Sequence, residues 1–389
     1  MYQKMTIVMT VLLLVAKGCG APATPAPTTA PETVALETES PTQPSPTATL
    51  LSPSPTPVPP TNTPEPSPTP RPVGWVTVET GNSPVARAEH AMVPLPDGGV
   101  LLFGGRDENG NILGDTWVLT RKSPESWNQI PAPDSPSARY GHSMVTLDDG
   151  RVLMFGGEDY RGDLQNSISG FRNQEWDEIV PVNAPPPPRR RAIAWAYDNK
   201  VYISGGIGKK PNGDLTLYED LWRFDASTNA WTQLEDPPDF ISPHAFPVVY
   251  DNKAYLLDPH SFPETGGRTQ VYDMNLDRWE YVNWTCQQWP TNTSWFGGVA
   301  VQVGDKVYAF GGERYYIDTQ SEADYITEAW KFDAETRDCE RIEDMPLPMA
   351  QGDGVWWGEL GSILLWGGRG PDEFVDPRLL VYYTPPSAP

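Results

Sequence analysis

The sequence has few of the residues that build disulfide frameworks, metal sites and basic surfaces. Of its 389 residues, 3 are cysteine and 4 are histidine, and 28 lysines and arginines stand against 51 aspartates and glutamates. Three cysteines cannot form a disulfide framework. A net charge of −23 repels phosphate backbones, so the composition argues against nucleic acid as a partner.

The first 20 residues have the pattern of a signal peptide. An apolar run from Thr6 to Ala16 follows Lys4 and is too short for a bilayer-spanning helix, which needs about 20 residues. The AKGC motif that ends at Cys19 resembles a bacterial lipoprotein lipobox, although Lys17 stands where that motif carries a small or apolar residue. The resemblance implies lipidation of Cys19 and a place on the extracellular face of a bacterial cell membrane. The alternative is cleavage nearby, which would release a soluble secreted protein.

Residues 21–72 form a linker of biased composition. They contain 17 of the 44 prolines, with 12 threonines and 5 serines. A segment with so few large apolar side chains cannot offset the entropy of folding, so we expect disorder or polyproline II. Fully extended at about 3.1 Å per residue, it would reach roughly 160 Å. The folded part is therefore predicted to be residues 73–389, presented at a distance from the membrane.

The folded part repeats one unit six times. In five copies an apolar run ends in a diglycine, and in the fourth copy Asp258 and Pro259 replace the glycines. The first residues of these pairs are separated by 52, 49, 53, 53 and 56 positions. The pairs begin at Gly104, Gly156, Gly205, Asp258, Gly311 and Gly367.

Each unit reads as four short strands. The second strand ends at the diglycine, the third carries a tryptophan or tyrosine, and the fourth carries a marker tryptophan, which Cys339 replaces in the fifth unit. Alternating apolar residues at this spacing, without a helix-length amphipathic stretch, predict an all-β repeat fold. The marker tryptophans are Trp127, Trp176, Trp231 and Trp279.

This pattern resembles the kelch repeat, whose units of about 50 residues form the blades of a β-propeller. The resemblance covers residues 74–389 and implies a six-bladed propeller. The sixth unit ends after its third strand, and the segment GWVTVE around Trp75 has the form of the missing fourth strand. Because an unclosed ring leaves two sheet edges open, we expect this N-terminal strand to complete the sixth blade.

The longer connections, between strands two and three and between one unit and the next, are expected on one face around the central channel. Arg87, Arg139 and Arg189 occupy equivalent positions at the start of strand one and border that face. They could bind a carboxylate or a sulfate. The structural alternative is that they pair with acidic loops of the next blade, as residues of a repeat.

An aromatic cluster is the second candidate binding surface. Trp284, Trp289 and Trp295 belong neither to the marker tryptophans nor to the tryptophans of strand three, and Tyr315 and Tyr316 lie on the fifth long loop. The tryptophans of strand three are Trp117, Trp222 and Trp330. Their side chains suit carbohydrate or protein binding. The alternative is an insertion that packs under its own aromatic side chains.

Catalytic constellations are scarce. His90 and His142 hold matching positions in the first two units, which is typical of repeat residues, and the other histidines are His244 and His260. Galactose oxidase shares the propeller type, but its copper ligands have no counterpart set here, so we expect no metal and no cofactor. The oxygen-rich loop around Asp107 has its glycine misplaced for an EF-hand and reads as a solvated turn.

Two cysteines remain after Cys19. Cys286 follows the last strand of blade four and Cys339 lies in the last strand of blade five. Whether they pair depends on a Cα separation that the sequence does not fix.

The leading functional hypothesis is a surface-tethered, non-catalytic binding module that presents one propeller face to a protein or a glycan. The alternative is a carbohydrate-active enzyme, because bacterial six-bladed kelch proteins include a sialic acid epimerase. A structural role in the cell envelope is the third hypothesis. Fold alone does not decide between them.

Overall fold

The computed structural model of the protein describes residues 74–120, 126–131, 133–258, 268–286, 289–290, 293–316, 324–358, 360–371, 373–374 and 379–384. All of them belong to the second of the two units into which the chain divides, Pro68–Pro389. The predicted signal peptide, Cys19 and the predicted linker lie outside the described residues. In the part that the structure describes, no helix has the length and apolarity needed to cross a membrane.

The first half of the folded part contains three four-stranded antiparallel sheets, blades one to three, and short strand pairs accompany blades one and three. The strands up to the end of blade one are β1 (Gly74–Val78), β2 (Arg87–Ala88), β3 (Ala91–Pro94), β4 (Val100–Phe103), β5 (Arg106–Asp107), β6 (Thr116–Leu119) and β7 (Trp127–Ile130). Blade two contains β8 (Ser143–Thr146), β9 (Val152–Phe155), β10 (Ile168–Arg172) and β11 (Glu175–Ile179). Blade three contains β12 (Ile193–Tyr197), β13 (Lys200–Ser204), β14 (Ile207–Lys209), β15 (Leu215–Leu217), β16 (Leu221–Asp225) and β17 (Ala230–Gln233).

The second half contains blades four to six in the same arrangement. Blade four contains β18 (Phe246–Tyr250), β19 (Lys253–Leu257), β20 (Arg268–Asp273) and β21 (Arg278–Asn283). Blade five contains β22 (Thr293–Phe296), β23 (Val299–Val303), β24 (Lys306–Phe310), β25 (Glu313–Tyr316), β26 (Asp324–Tyr325), β27 (Ala329–Asp333) and β28 (Asp338–Arg341). Blade six contains β29 (Asp353–Trp357), β30 (Ser362–Trp366), β31 (Arg369–Gly370), β32 (Glu373–Phe374) and β33 (Leu379–Tyr383).

The long connections of each blade come together on one face, which we call the loop face. In blade one, β2 pairs with β5, so the segment before strand one meets the segment after strand two. Equivalent pairings join Arg190 to Ile207 in blade three and Ala350 to Arg369 in blade six. This geometry follows from an antiparallel meander, in which alternate connections share a face.

Among the described residues the buried side chains form six core clusters, and each cluster lies between two neighbouring blades. Leu102 packs in the cluster between blades one and six, whereas Leu101 and Phe103 pack in the cluster between blades one and two. Both faces of each sheet are therefore covered. This explains why the second strands are continuous apolar runs such as VLLF.

The diglycines allow neighbouring blades to approach at the backbone. Gly105 donates its N–H to the carbonyl oxygen of Arg139 in the next blade at 2.9 Å, and Gly368 donates to Arg87 at 2.8 Å, from blade six to blade one. Gly104 has a φ of +65°, and a Cβ there would lie 2.5 Å from the Arg139 oxygen. A larger residue would therefore push the blades apart.

The N-terminal strand has the place of the fourth strand of blade six. β1 pairs antiparallel with β33, with Trp75 opposite Tyr382, and the sheet order is β1-β33-β30-β29. Marker tryptophans pack on the aromatic residue before the diglycine of the preceding blade, as Trp176 does on Phe103 at 5.1 Å between ring centroids. Trp75 packs in the same way on Phe310 of blade five, at 5.3 Å.

Candidate functional site

A cavity of about 270 Å³ opens where the six blades meet on the loop face. Six of its lining residues hold equivalent positions, two or three residues before strand one of each blade, and we call these six residues the rim. The residues that follow the rim along the chain lead into strand one, and they line the cavity as well. The rim consists of Glu89, Gly141, Arg191, Pro243, Gly297 and Gln351.

The rim residues are joined by backbone hydrogen bonds from blade to blade. The N–H of Arg191 donates to Gly141, that of Gly141 to Glu89, that of Glu89 to Gln351, and that of Gln351 to Gly297, at 2.7–2.9 Å. All five have φ between +52° and +64°. Glycine adopts this left-handed conformation without strain, whereas another residue gives up about 1 kcal/mol or more. Three side chains are therefore kept at the cavity entrance against a backbone preference.

Charge is concentrated at this entrance. Glu89 has a side chain that is 4% exposed, and three guanidinium groups surround it. Arg106 approaches Glu89 to 2.5 Å, Arg191 to 2.8 Å and Arg190 to 3.9 Å. Burial would raise the pKa of Glu89, but Arg191, with Arg106 and Arg190, holds it below its usual value. The carboxylate thus fixes three cations at the rim.

A tyrosine and a second carboxylate support these cations. The ring of Tyr140, from blade two, lies 5.3 Å from the guanidinium carbon of Arg106 and 5.5 Å from that of Arg190. Arg190 also pairs through Nε with Glu158 at 2.8 Å. Burial raises the pKa of Tyr140 to about 12, so its hydroxyl stays neutral. Three arginines against two glutamates leave this group of side chains cationic within an acidic protein.

The layer below the rim contains three histidines at equivalent positions, His90, His142 and His244. Burial and nearby Arg87 lower the pKa of His90 well below its usual value, and burial and Arg139 lower that of His142 to about 3. Both are therefore neutral. His90 packs edge-on against Trp366 of blade six and serves the packing of the ring.

Asp353 lies deeper in the cavity wall. Its carboxylate accepts the N–H of Met92 in blade one at 2.6 Å and that of Gly354 at 2.7 Å. Burial nevertheless raises the pKa of Asp353 to about 7. This carboxyl group links the last blade to the first and exchanges a proton near neutrality.

The three arginines predicted from the repeat are enclosed in their blades. Arg87, Arg139 and Arg189 each donate from Nη1 to the carbonyl oxygen of the first glycine of their own diglycine, at 3.0, 3.0 and 2.8 Å. Arg87 also donates to Asp115 at 2.8 Å and Arg189 to Asp220 at 2.7 Å. The structural alternative expected partners on the next blade, whereas these acids precede strand three of the same blade. A ligand-binding role for the three stays a prediction.

Blade two departs from this pairing. Ser167 stands where the other two blades have aspartate, and its hydroxyl oxygen accepts from Arg139 Nη1 at 3.1 Å. The rest of this guanidinium group bonds to the backbone and hydroxyl oxygens of Ser137. Burial lowers the pKa of Arg139 to about 10, because no carboxylate within the described residues pairs with it.

The predicted aromatic cluster is largely interior. Trp284 and Trp295 are buried in the core between blades four and five, and Trp289 packs on Trp330 at 4.7 Å and on Phe332 at 5.7 Å. In blades two and three the marker tryptophan packs on the aromatic residue of strand three. In blade five Cys339 stands at the marker position, and Trp289 packs on the equivalent Phe332 in its place. These contacts agree with an insertion packed under its own aromatic side chains.

The two tyrosines of the cluster lie on β25. Tyr315 is 39% exposed, its ring is 5.2 Å from that of Phe296, and its hydroxyl donates to Glu313. The side chain of Tyr316 lies outside the described residues. A binding role for the pair stays a prediction.

Cys286 and Cys339 form a disulfide bond, with their Cα atoms 4.9 Å apart. It links blade four to blade five beside the tryptophans of the insertion.

In the loop around Asp107, the carboxylate accepts the backbone N–H groups of Asn109 and Asn111, as in a solvated turn. Across the described ranges, no group of three or more histidine, cysteine, aspartate or glutamate side chains is placed to hold a metal ion.

The sequence reasoning missed Glu89, Arg106, Arg190, Arg191 and Gln351. The position of the rim can be located in the sequence, because the residue before His90, His142 and His244 occupies the same place in each repeat. Its chemistry varies from blade to blade, so no motif marks it.

Comparison with known proteins places this geometry in a family. A family model described as Attractin/LZTR1 beta-propeller matches residues 152–373, more than half of the chain. The chain belongs to this family. A second model, of the beta-propeller of tRNA wybutosine-synthesizing protein 4, matches residues 84–216. Together with the kelch-repeat relatives below, the Attractin/LZTR1 beta-propeller match confirms the kelch-type propeller.

The relatives are diverse. Kelch-like protein terF of Aspergillus terreus is 25% identical over 72% of this chain and 61% of its own length. An F-box/kelch-repeat protein of Arabidopsis thaliana is 37% identical over 38% of this chain and 27% of its own length. The flagellar outer arm dynein alpha chain of Chlamydomonas reinhardtii is 25% identical over 74% of this chain but 7% of its own length. The chain thus spans less than two thirds of each of these relatives.

A solved structure, that of YjhT, shares the fold with a TM-score of 0.60 and 16% identity, covering 78% of this chain and 97% of the other. At this identity the likeness shows the all-β propeller fold alone.

Proposed function

We propose that this chain is a non-catalytic binding module that binds a partner protein at the rim of its loop face, outside the cell. The observation that carries the proposal is the group of three arginines held around Glu89 at the cavity entrance. Arginine binds carboxylates with directed, charge-assisted hydrogen bonds. In a protein with a net charge of −23, such a cationic opening is a specific feature.

The strained backbone supports this reading. Glu89, Arg191 and Gln351 keep side chains at positive φ, where blades two and five have glycine. Left-handed non-glycine residues cluster at ligand-binding and catalytic sites. The loops around them stand on a rigid ring, as in many binding proteins. If these positions served only to close the ring, they would need no side chain, and glycine would suffice at each rim position with positive φ.

The test is an array of secreted proteins and glycans, probed with the whole chain. We expect a protein ligand whose binding falls about tenfold or more in an Arg106→Gln, Arg190→Gln variant, since each loses a charge-assisted hydrogen bond. Arg223→Gln is the matched control, because Arg223 pairs with Asp277 on the opposite face. Equal loss in the control, or a ligand that ignores both variants, would contradict the proposal.

The proposed location has its own test. A chain anchored through Cys19 should fractionate with membranes, and Cys19→Ser should release it to the medium or the soluble fraction. Identical fractionation of both forms would reject the lipid anchor and leave a secreted protein.

A second candidate function, a carbohydrate-active enzyme, is supported by Asp353. A carboxyl group with a pKa of about 7 in a cavity wall suits general acid or base catalysis. Time-resolved NMR of the acidic and neutral sugars on the array would show conversion in the presence of the chain. Conversion that Asp353→Asn abolishes would replace the binding proposal.

A further inference from the structure

We infer that the rim and the β14–β15 hairpin of blade three together bind one extended segment of a partner protein, which carries carboxylate side chains beside two apolar side chains. The inference rests on the proposed function and names the chemistry of its ligand. The hairpin carries two exposed apolar side chains next to the arginines of the rim. Leu215 is 59% exposed and Leu217 48%.

The hairpin starts at the rim. Ile207, the first residue of β14, exchanges two backbone hydrogen bonds with Arg190, at 2.8 and 3.0 Å. Across the ladder Ile207 lies opposite Leu217, and Lys209 lies opposite Leu215. The exposed leucines therefore begin one ladder step from the arginines, and Leu215 lies about 7 Å further out, two residues along the strand.

One face of the hairpin looks towards blade two. Residues opposite each other in an antiparallel pair point to the same face, so Lys209, Leu215 and Leu217 share one. The ammonium group of Lys209 contacts the carbonyl oxygen of Gly162 at the tip of the blade-two loop. Tyr160 of that loop is 69% exposed. The hairpin and the blade-two loop therefore adjoin at this contact. We call the surface between them, with Leu215 and Leu217 on one side and the loop that carries Tyr160 on the other, the groove.

The outer edge of the hairpin is available for pairing. Within the described residues, β14 and β15 form a two-stranded sheet and no third strand pairs with β15. An unpaired edge beside an apolar face accepts an extended peptide, whose main chain pairs with the strand while alternate side chains enter the groove. Two apolar side chains, two residues apart, would then meet Leu215 and Leu217.

Charge selects the flanking residues of that peptide. At the inner end of the groove, Arg191 uses Nε for Glu89, and its two Nη groups have no hydrogen bond within the described residues. At the outer end stand Lys209 and Lys210, and Arg161 lies over the Tyr160 ring at 5.1 Å, with Asp159 and Asp163 beside it. A carboxylate before or after the apolar pair would therefore meet Arg191 at the inner end or the lysines at the outer end. A basic or neutral segment would form no such charge-assisted hydrogen bond.

The test uses a fluorescein-labelled peptide, GGELTLEGG, in fluorescence anisotropy with the whole chain at low salt. Replacing both glutamates by glutamine, or both leucines by alanine, should weaken binding about tenfold, and added salt should weaken the binding of the parent peptide alone. On the protein, Arg191→Gln and the double variant Leu215→Ala, Leu217→Ala should each cost a similar factor. The leucines are exposed, so their replacement leaves the fold intact.

Matched controls lie on the opposite face. Leu276→Ala removes a leucine that is 58% exposed, and Arg223→Gln removes an arginine. Both should bind the peptide like the unchanged chain. Equal affinity for the glutamine peptide, an unchanged affinity in the leucine double variant, or absence of peptide binding would overturn the inference. If the array ligand still depends on Arg106 and Arg190 in that case, the proposed function stands; if it does not, both fall.

Discussion

Removal of the disulfide between Cys286 and Cys339 should measurably destabilise the propeller. The bond joins two positions 53 residues apart, one in each of two neighbouring blades. A closed loop of that size restricts the unfolded chain by about 4 kcal/mol in the chain-entropy treatment, and residual structure in the unfolded state lowers this to about 2–4 kcal/mol. The expected result is a lower urea midpoint for the double variant Cys286→Ser, Cys339→Ser.

The assay compares oxidised and reduced protein by urea unfolding in a Cys19→Ser background, which removes the third thiol. Reductant should lower the midpoint of the parent and leave the double serine variant unchanged. Equal midpoints for all samples, or two free thiols titrated in the unfolded, unreduced parent, would refute the crosslink and this account of the blade four–blade five interface.

Three further predictions concern the ring and its buried charges. Trp75→Ala should lower the free energy of unfolding in urea by about 2–3 kcal/mol, because β1 loses the partly buried indole that packs on Phe310. An unchanged urea midpoint would contradict closure of the ring through β1. Burial raises the pKa of Asp353 to about 7, so the native state holds its proton more tightly than the unfolded state and stability falls as pH rises from about 4 to 7. Because this carboxyl is partly open to the cavity, we expect about 1–2 kcal/mol, and Asp353→Asn should flatten that slope in unfolding measured from pH 4 to 8. Ser167→Asp should raise the melting temperature by giving Arg139 the partner it has in blades one and three, worth about 1 kcal/mol, and a lower melting temperature would show that the pair is not accommodated.

The repeat made the scaffold predictable. Period, diglycines and marker tryptophans are set by packing between blades, so they recur in the sequence and identify the strands. Trp75 could be assigned to the last blade because its segment has the form of the marker strand, and the structure pairs it with Tyr382. Such features are local patterns with one physical cause.

The site was less predictable because its residues share a position and not a chemistry. Glu89, Gly141 and Arg191 are equivalent in the ring, yet an acid, a glycine and a base carry no common motif. The repeated arginines Arg87, Arg139 and Arg189 lie inside their blades. The sequence could not show this, because a guanidinium group can donate to a diglycine carbonyl oxygen as readily as it binds a ligand. For Trp289 the sequence left both a binding surface and a packed insertion open, because its role depends on the space that Cys339 leaves, which only the packed interface shows.

Hydrogen–deuterium exchange measured with and without the GGELTLEGG peptide tests most directly where the molecule binds. The account predicts slower exchange in residues 87–91, 189–193 and 207–217, around the rim and the hairpin, and no change in the opposite turns 148–150 and 274–277. Protection of those turns, or of the aromatic insertion in place of the rim, would contradict it.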